Sequence, residues 1–139
     1  MLERCHRRLE ETLEALANPT RQALDEALMF IDRSLKRHED DEELSLFPRL
    51  VRVPQLAPLL DRLTVQHRDQ AAAIEELRAL LDAPALDDRI AREVVGRLRA
   101  AYTEHIAVEE KELFPAARAA FDADDLGGMA SEMDSRRGR

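Results

Sequence analysis

From residue 24 onward, apolar side chains return at alternating steps of four and three: Leu24, Leu28, Ile31, Leu35. That period belongs to one face of an α-helix; a strand alternates faces at every residue. The same seam then runs on through His38 and Glu42. Three further segments carry stripes of this kind. Leu2, Leu9, Leu13 and Leu16 mark a helix over about residues 2–17. Leu60, Leu63, His67, Ile74, Leu77 and Leu81 mark one over about 55–82. Ile90, Val94, Leu98, Ala101 and His105 mark one over about 87–114 or beyond. The second helix spans about 20–46, with Thr20 as its N-cap after the break at Asn18-Pro19. Pro48 and Pro54 bracket the next connection, and "DAPALDD", residues 82–88, forms a turn whose aspartates suit a helix N-terminus.

Four long helices with short connections and a 3.5-residue apolar period predict an all-α, up-down-up-down four-helix bundle over residues 1–121. Residues 122–139 form a short C-terminal segment. Phe121, at its border, with Leu126, Met129 and Met133 is placed to make a short capping helix, and Ser135–Arg139 is a basic tail expected to fray. Composition agrees: 45% apolar, 36% charged, four glycines and no tryptophan disfavour a β-rich fold. A net charge of −8 argues against a general nucleic-acid binder. No apolar run reaches the roughly 20 residues that cross a bilayer, and "MLERCHRRLEETL" lacks the apolar core of a signal peptide. One cysteine, Cys5, makes no internal disulfide, so a cytoplasmic protein is expected.

Residues 38–48, "HEDDEELSLFP", and 105–115, "HIAVEEKELFP", share the pattern H-x-x-x-E-E-x-x-L-F-P. Each copy closes the second helix of a hairpin, while His6 and His67 lie on the first helices. The chain reads as two hairpins of one plan, with all four histidines on inward seams. Turn positions set His38, Glu42, His67, His105 and Glu109 at one height. His6 fits less well, with a height error of about 10 Å at most at 1.5 Å per residue.

A histidine and a glutamate at i and i+4 share one helix face. The imidazole then reaches one centre while the carboxylate bridges to a second. Two such pairs supply two bridging carboxylates, Glu42 and Glu109, and two more histidines complete an N and O donor set for two metals. Imidazole and carboxylate with open positions suit non-haem iron. Without metal, burying these ions would cost several kcal/mol apiece.

With "ERCHRRLEETL" and "LTVQHRDQAAAIEEL" around the single histidines, the pattern resembles the hemerythrin-like (HHE cation-binding) domains over residues 1 to about 121. The resemblance implies a bundle holding a carboxylate-bridged non-haem di-iron centre: His6 and His38 on one iron, His67 and His105 on the other, Glu42 and Glu109 bridging. The oxygen carriers have H-x-x-x-H on the third helix; here Ala71 follows His67. Some hemerythrin-like members use a carboxylate next to the second-helix histidine, and Glu39 stands there. This tilts the expectation from reversible oxygen carriage to redox chemistry with dioxygen, peroxide or nitric oxide, or to sensing or storing iron. Peroxidase- or catalase-like turnover is compatible but not required.

Several readings stay open at this level. A ferritin-like oxidase or iron store places E-x-x-H on two helices, and only Glu3-Arg4-Cys5-His6 matches. A metal-free helical interaction module would contain no stoichiometric iron. Structural zinc fits poorly with one cysteine and two bridging carboxylates. Glu43 and Glu110 read as solvated, Cys5 as an inert small residue, and Tyr102 as packing or a hydrogen-bond donor to the pocket. The two Leu-Phe-Pro runs read as helix ends that pack the bundle floor.

Overall fold

The computed structural model describes residues 2–139. α1 is Leu2–Glu14, continued by a 3₁₀ turn, Ala15–Ala17. The break at Asn18-Pro19 follows, and the Thr20 hydroxyl accepts from Ala23 N–H at 3.1 Å, starting the next helix as its N-cap. α2 covers 21–50, α3 is Ala57–Asp82, and α4 covers 88–120. Asp87 caps α4 by accepting from the amides of Arg89 and Ile90. α5 is Ala123–Arg136, opened by a reciprocal capping box between Asp122 and Asp125. Among the described residues there are helices and no strands, so the all-α bundle expected from the stripes is the fold.

Both motif helices run through their prolines. α2 goes on to Leu50 past Pro48, and α4 to Ala120 past Pro115, so Leu-Phe-Pro ends neither helix. A wide π turn precedes each proline: Glu42–Leu46 in α2 and Glu109–Leu113 in α4. The Phe47 amide bonds to the Glu42 carbonyl, and the Phe114 amide to that of Glu109. The proline gives no N–H and its ring crowds the carbonyl four residues back. An opened turn relieves both, and such turns recur at functional sites. Here each begins on the glutamate of the motif.

A third π turn, Ile31–Leu35, lies between Thr20 and His38. It packs an extra residue into one turn of α2, while the 3₁₀ turn stretches α1 to about 2.0 Å per residue. Both act to bring His6 level with His38, which reduces the register error of the first hairpin.

The interior has two apolar layers. One includes Leu9, Leu13, Leu24, Leu77, Val94 and Leu98. The other includes Leu46, Phe47, Leu63, Leu113 and Phe114, and takes in Met129 and Met133 of α5. Two seam assignments shift: Ile90 is 40% exposed and Ala91 is buried in its place, while Leu126 is 57% exposed. On a 3.6-residue helix Ala91 turns better toward the core than Ile90.

Two arginines of the basic tail reach back to the bundle. Arg136 donates to Asp41 Oδ1 at 2.8 Å and to Ser45 Oγ at 2.6 Å, and Arg137 donates to Asp41 Oδ2 at 2.6 Å. Asp41 is fully buried, so these guanidiniums neutralise a carboxylate that would otherwise be costly. Arg49 adds a two-pronged ion pair to Glu132, at 2.9 and 3.0 Å.

Candidate metal centre

Between the apolar layers lies one polar layer. His6, His38, His67, His105, Glu42 and Glu109 are all buried. Their ligating atoms form two quartets, each with every atom within 4.8 Å of the others. One quartet is His6, His38, Glu42 and Glu109; the other is Glu42, His67, His105 and Glu109. The two carboxylates belong to both. Glu39, the seventh residue singled out from the sequence, joins neither quartet. It is half-buried beside a cavity of about 160 Å³ that Ala71 and Ile74 also line.

Within the first quartet, His6 Nε2 stands 3.2 Å from His38 Nε2 and 3.3 Å from Glu109 Oε1. His38 Nε2 also touches Glu42 Oε1. In the second, His105 Nε2 lies 2.7 Å from Glu109 Oε1, and His67 Nε2 lies 3.5 Å from Glu42 Oε2. Despite this closeness, both oxygens of Glu42, both of Glu109, and His67 Nε2 make no hydrogen bond of acceptable angle among the described residues. Lone pairs converge on two points with no proton well placed between them. A cation at each point satisfies all of them, so the donor set fits a pair of metal ions.

The electrostatics agree. Burial alone would push the Glu109 carboxyl up, yet contact with Glu42 and the imidazoles of His105, His38 and His6 holds it well below the usual carboxylate range. His38 is raised well above the usual imidazole range: burial disfavours its charged form, but Glu42 foremost, with Cys5 and Glu109, outweighs it. His67 is raised to about 9, with Glu42 and Glu43 outweighing burial.

The outer faces of the imidazoles are held by residues the sequence reading had set aside. His67 Nδ1–H donates to Glu43 Oε1 at 2.8 Å, and His6 Nδ1–H to Glu110 Oε1 at 3.3 Å. These glutamates are half-exposed but not idle. Each crosses from one hairpin to orient a histidine of the other. His105 Nδ1–H donates to Gln66 Oε1 at 2.8 Å. The motif phenylalanines cross over in the same way: Phe47 stacks on His67 and Phe114 on His6, at centroid separations of 6.2 and 5.5 Å.

Gln70 and Tyr102 complete the surroundings. Both are buried, and the Gln70 amide and Tyr102 hydroxyl lack hydrogen-bond partners among the described residues. Gln70 lies one turn beyond His67 and Tyr102 one turn before His105. On antiparallel helices this puts both on the same side of the second quartet. Gln70 escaped the sequence reading, although a glutamine at an inward position three residues after a seam histidine was its available signal. Asp41 and Ser45 gave none, since their partners come from the far C-terminus.

A four-helix bundle with a buried layer of four imidazoles and two shared carboxylates has the donor set of a metal-binding bundle. The sequence model of the hemerythrin HHE cation binding domain matches residues 1–117, and the chain belongs to that family. It is also 34% identical over 119 residues to an uncharacterized protein of Haemophilus influenzae, covering 82% of this chain and 67% of that one. No solved structure matches it.

Proposed function

We propose that this protein holds two non-haem iron ions between its helices and binds or reacts with a small ligand, dioxygen, peroxide or nitric oxide, on the His67 and His105 side. His6 and His38 would hold one ion and His67 and His105 the other, with Glu42 and Glu109 shared between them. The observation that carries this reading is the set of unpartnered, buried carboxylate oxygens shared by both quartets. Bound iron supplies electron transfer and an exchangeable coordination position.

The chain supplies the rest. Glu43, Glu110 and Gln66 hold three imidazoles with Nε2 inward. The apolar layers above and below keep bulk water out and admit only small ligands. Ala71 leaves the second ion one imidazole short of the oxygen carriers' pattern, and Gln70 and Tyr102 offer hydrogen bonds on that side. Burial, first, holds the Glu39 carboxyl above its ordinary range, so Glu39 keeps a proton beside the second quartet more readily than a surface glutamate. Among the described residues no helix is long and apolar enough to cross a membrane. The reading takes the cytoplasm as the setting, in keeping with the free Cys5.

The decisive measurement is iron content with an optical spectrum, taken before and after peroxide and again on reduced protein exposed to air. About two irons per chain and bands that respond to peroxide are expected. Glu42→Ala should lose iron and melt at a lower temperature. A variant that keeps both irons would sink the bridging role, and wild-type protein without iron would sink the whole reading.

A further inference from the structure

The two hairpins treat their histidines alike except at one place. Gln66 precedes His67 and takes the Nδ1–H of His105. The residue in the same position of the first hairpin is Cys5, which precedes His6 and borders His38. A thiol is a weak acceptor, and His38 Nδ1, on a ring that is 3% exposed, has no hydrogen-bond partner among the described residues. Three imidazoles therefore have an oxygen acceptor from the protein, and the fourth has none.

His38 and Cys5 also line a cavity of about 330 Å³. Its other walls carry Arg4, Arg8, Arg37, Arg137 and Arg139, and no acidic side chain among the described residues lines it. Arg137 is committed to Asp41, and Arg139 lies 3.8 Å from Asp134. Arg8 sits over the Phe30 ring. Arg4 and Arg37 form no ion pair among the described residues. Elsewhere some guanidiniums reach carboxylates, as at Arg49, Arg62 and Arg78, and others stand apart from one another on the surface. Here Arg4, Arg8 and Arg37 converge on one opening without an ion pair among the described residues.

We propose that this cavity is a binding site for an oxoanion of the phosphate type, free or as a phosphate monoester, held by Arg4, Arg8 and Arg37. One of its oxygens accepts the Nδ1–H of His38 once the Cys5 side chain turns aside. The guanidinium fork matches phosphate oxygens in pairs, and a dianion offsets the mutual repulsion of the unpaired arginines. The anion occupies the place that Gln66 fills in the other hairpin. The site itself stands on the chain's own side chains. Its consequence for the metal rests on the di-iron reading: an acceptor on Nδ1 makes His38 a stronger donor to its ion.

The test is isothermal titration of the purified full-length protein, its metal content measured, at a constant ionic strength of about 0.15 M. Inorganic phosphate, glycerol phosphate and acetate are titrated separately. One phosphate per chain is expected, weakened about tenfold in Arg37→Gln and in Arg4→Gln by loss of a charge-assisted hydrogen bond. Arg97→Gln, on the Glu76 pair, should bind as wild type does. Cys5→Gln, which supplies the missing acceptor, should weaken phosphate with metal content unchanged. Tighter binding of glycerol phosphate supports a monoester ligand, and equal binding supports the free anion. No saturable binding, equal affinity in the arginine variants, or acetate bound as tightly as phosphate overturns the proposal. A sample lacking iron with an intact phosphate isotherm would count against the di-iron reading and leave the anion site standing.

Discussion

At the residue scale, three of the four histidines of the centre have a carboxylate or amide oxygen on the ring nitrogen turned away from the quartets. Glu43→Ala removes the acceptor from His67 Nδ1 without touching a quartet. Metal affinity at the His67 position should fall about tenfold, at the low end for such outer partners. Competition with a chelator measures it, and unchanged affinity would mean that Glu43 is only a solvated surface charge. The metal-free chain also has a pH signature. His67 titrates near 9 when folded, against 6.5 as its ordinary value. A raised pKa adds stability that is whole below about 6.5 and is lost as pH rises through 9. Metal-free protein should therefore lose part of its stability between pH 7 and 9. Metal-loaded protein should show no such loss, because the neutral imidazole is the ligand and metal is gripped more firmly as protons leave. Denaturant melts of both forms across that range decide it. Parallel curves would place His67 away from the ion.

At the scale of the elements, the apolar stripes were plain in the sequence because a soluble helix must bury one face. Leu77 and Leu98 are fully buried in the layer above the centre. Leu98→Ala should cost about 2–5 kcal/mol in urea unfolding, the range for a leucine cavity that relaxes incompletely. A cost under about 1 kcal/mol would mean this layer is loosely packed. The π turns were not legible. Nothing in Glu42-Glu43-Leu44-Ser45-Leu46 taken alone asks for a wide turn, and a proline normally announces a helix end. The helix continues because Phe47 and Leu50 beyond the turn are buried in the lower layer, and that burial outweighs the local cost. Ile90 shows the converse: a seam extrapolated to the first turn of a helix overruns the point where neighbours cover it.

For the whole molecule, α5 is part of the bundle floor rather than an appendage. Met129 and Met133 join the lower apolar layer, and Arg136 and Arg137 neutralise Asp41. Ending the chain after Phe121 should destabilise it by at least about 2 kcal/mol through lost methionine burial, with further loss from the stranded carboxylate. Metal content should stay near that of the full chain, since no quartet residue lies in α5. A thermal melt with metal analysis tests both. A truncated protein that melts as before would show α5 to be dispensable to the core.

The bundle, its two-hairpin plan and the six quartet residues were readable from one sequence, because helix period and i, i+4 spacing are local properties that survive without knowledge of the partner helices. What holds those six in place was not. Glu43, Glu110, Gln66 and the two phenylalanines act on histidines of other helices, and Asp41 depends on arginines some 95 positions away. Such pairs are set by which faces meet when four helices close around a common layer. Only the assembled molecule decides that, and so only there do Cys5 and a ring of arginines come to face an imidazole that the protein leaves without an acceptor.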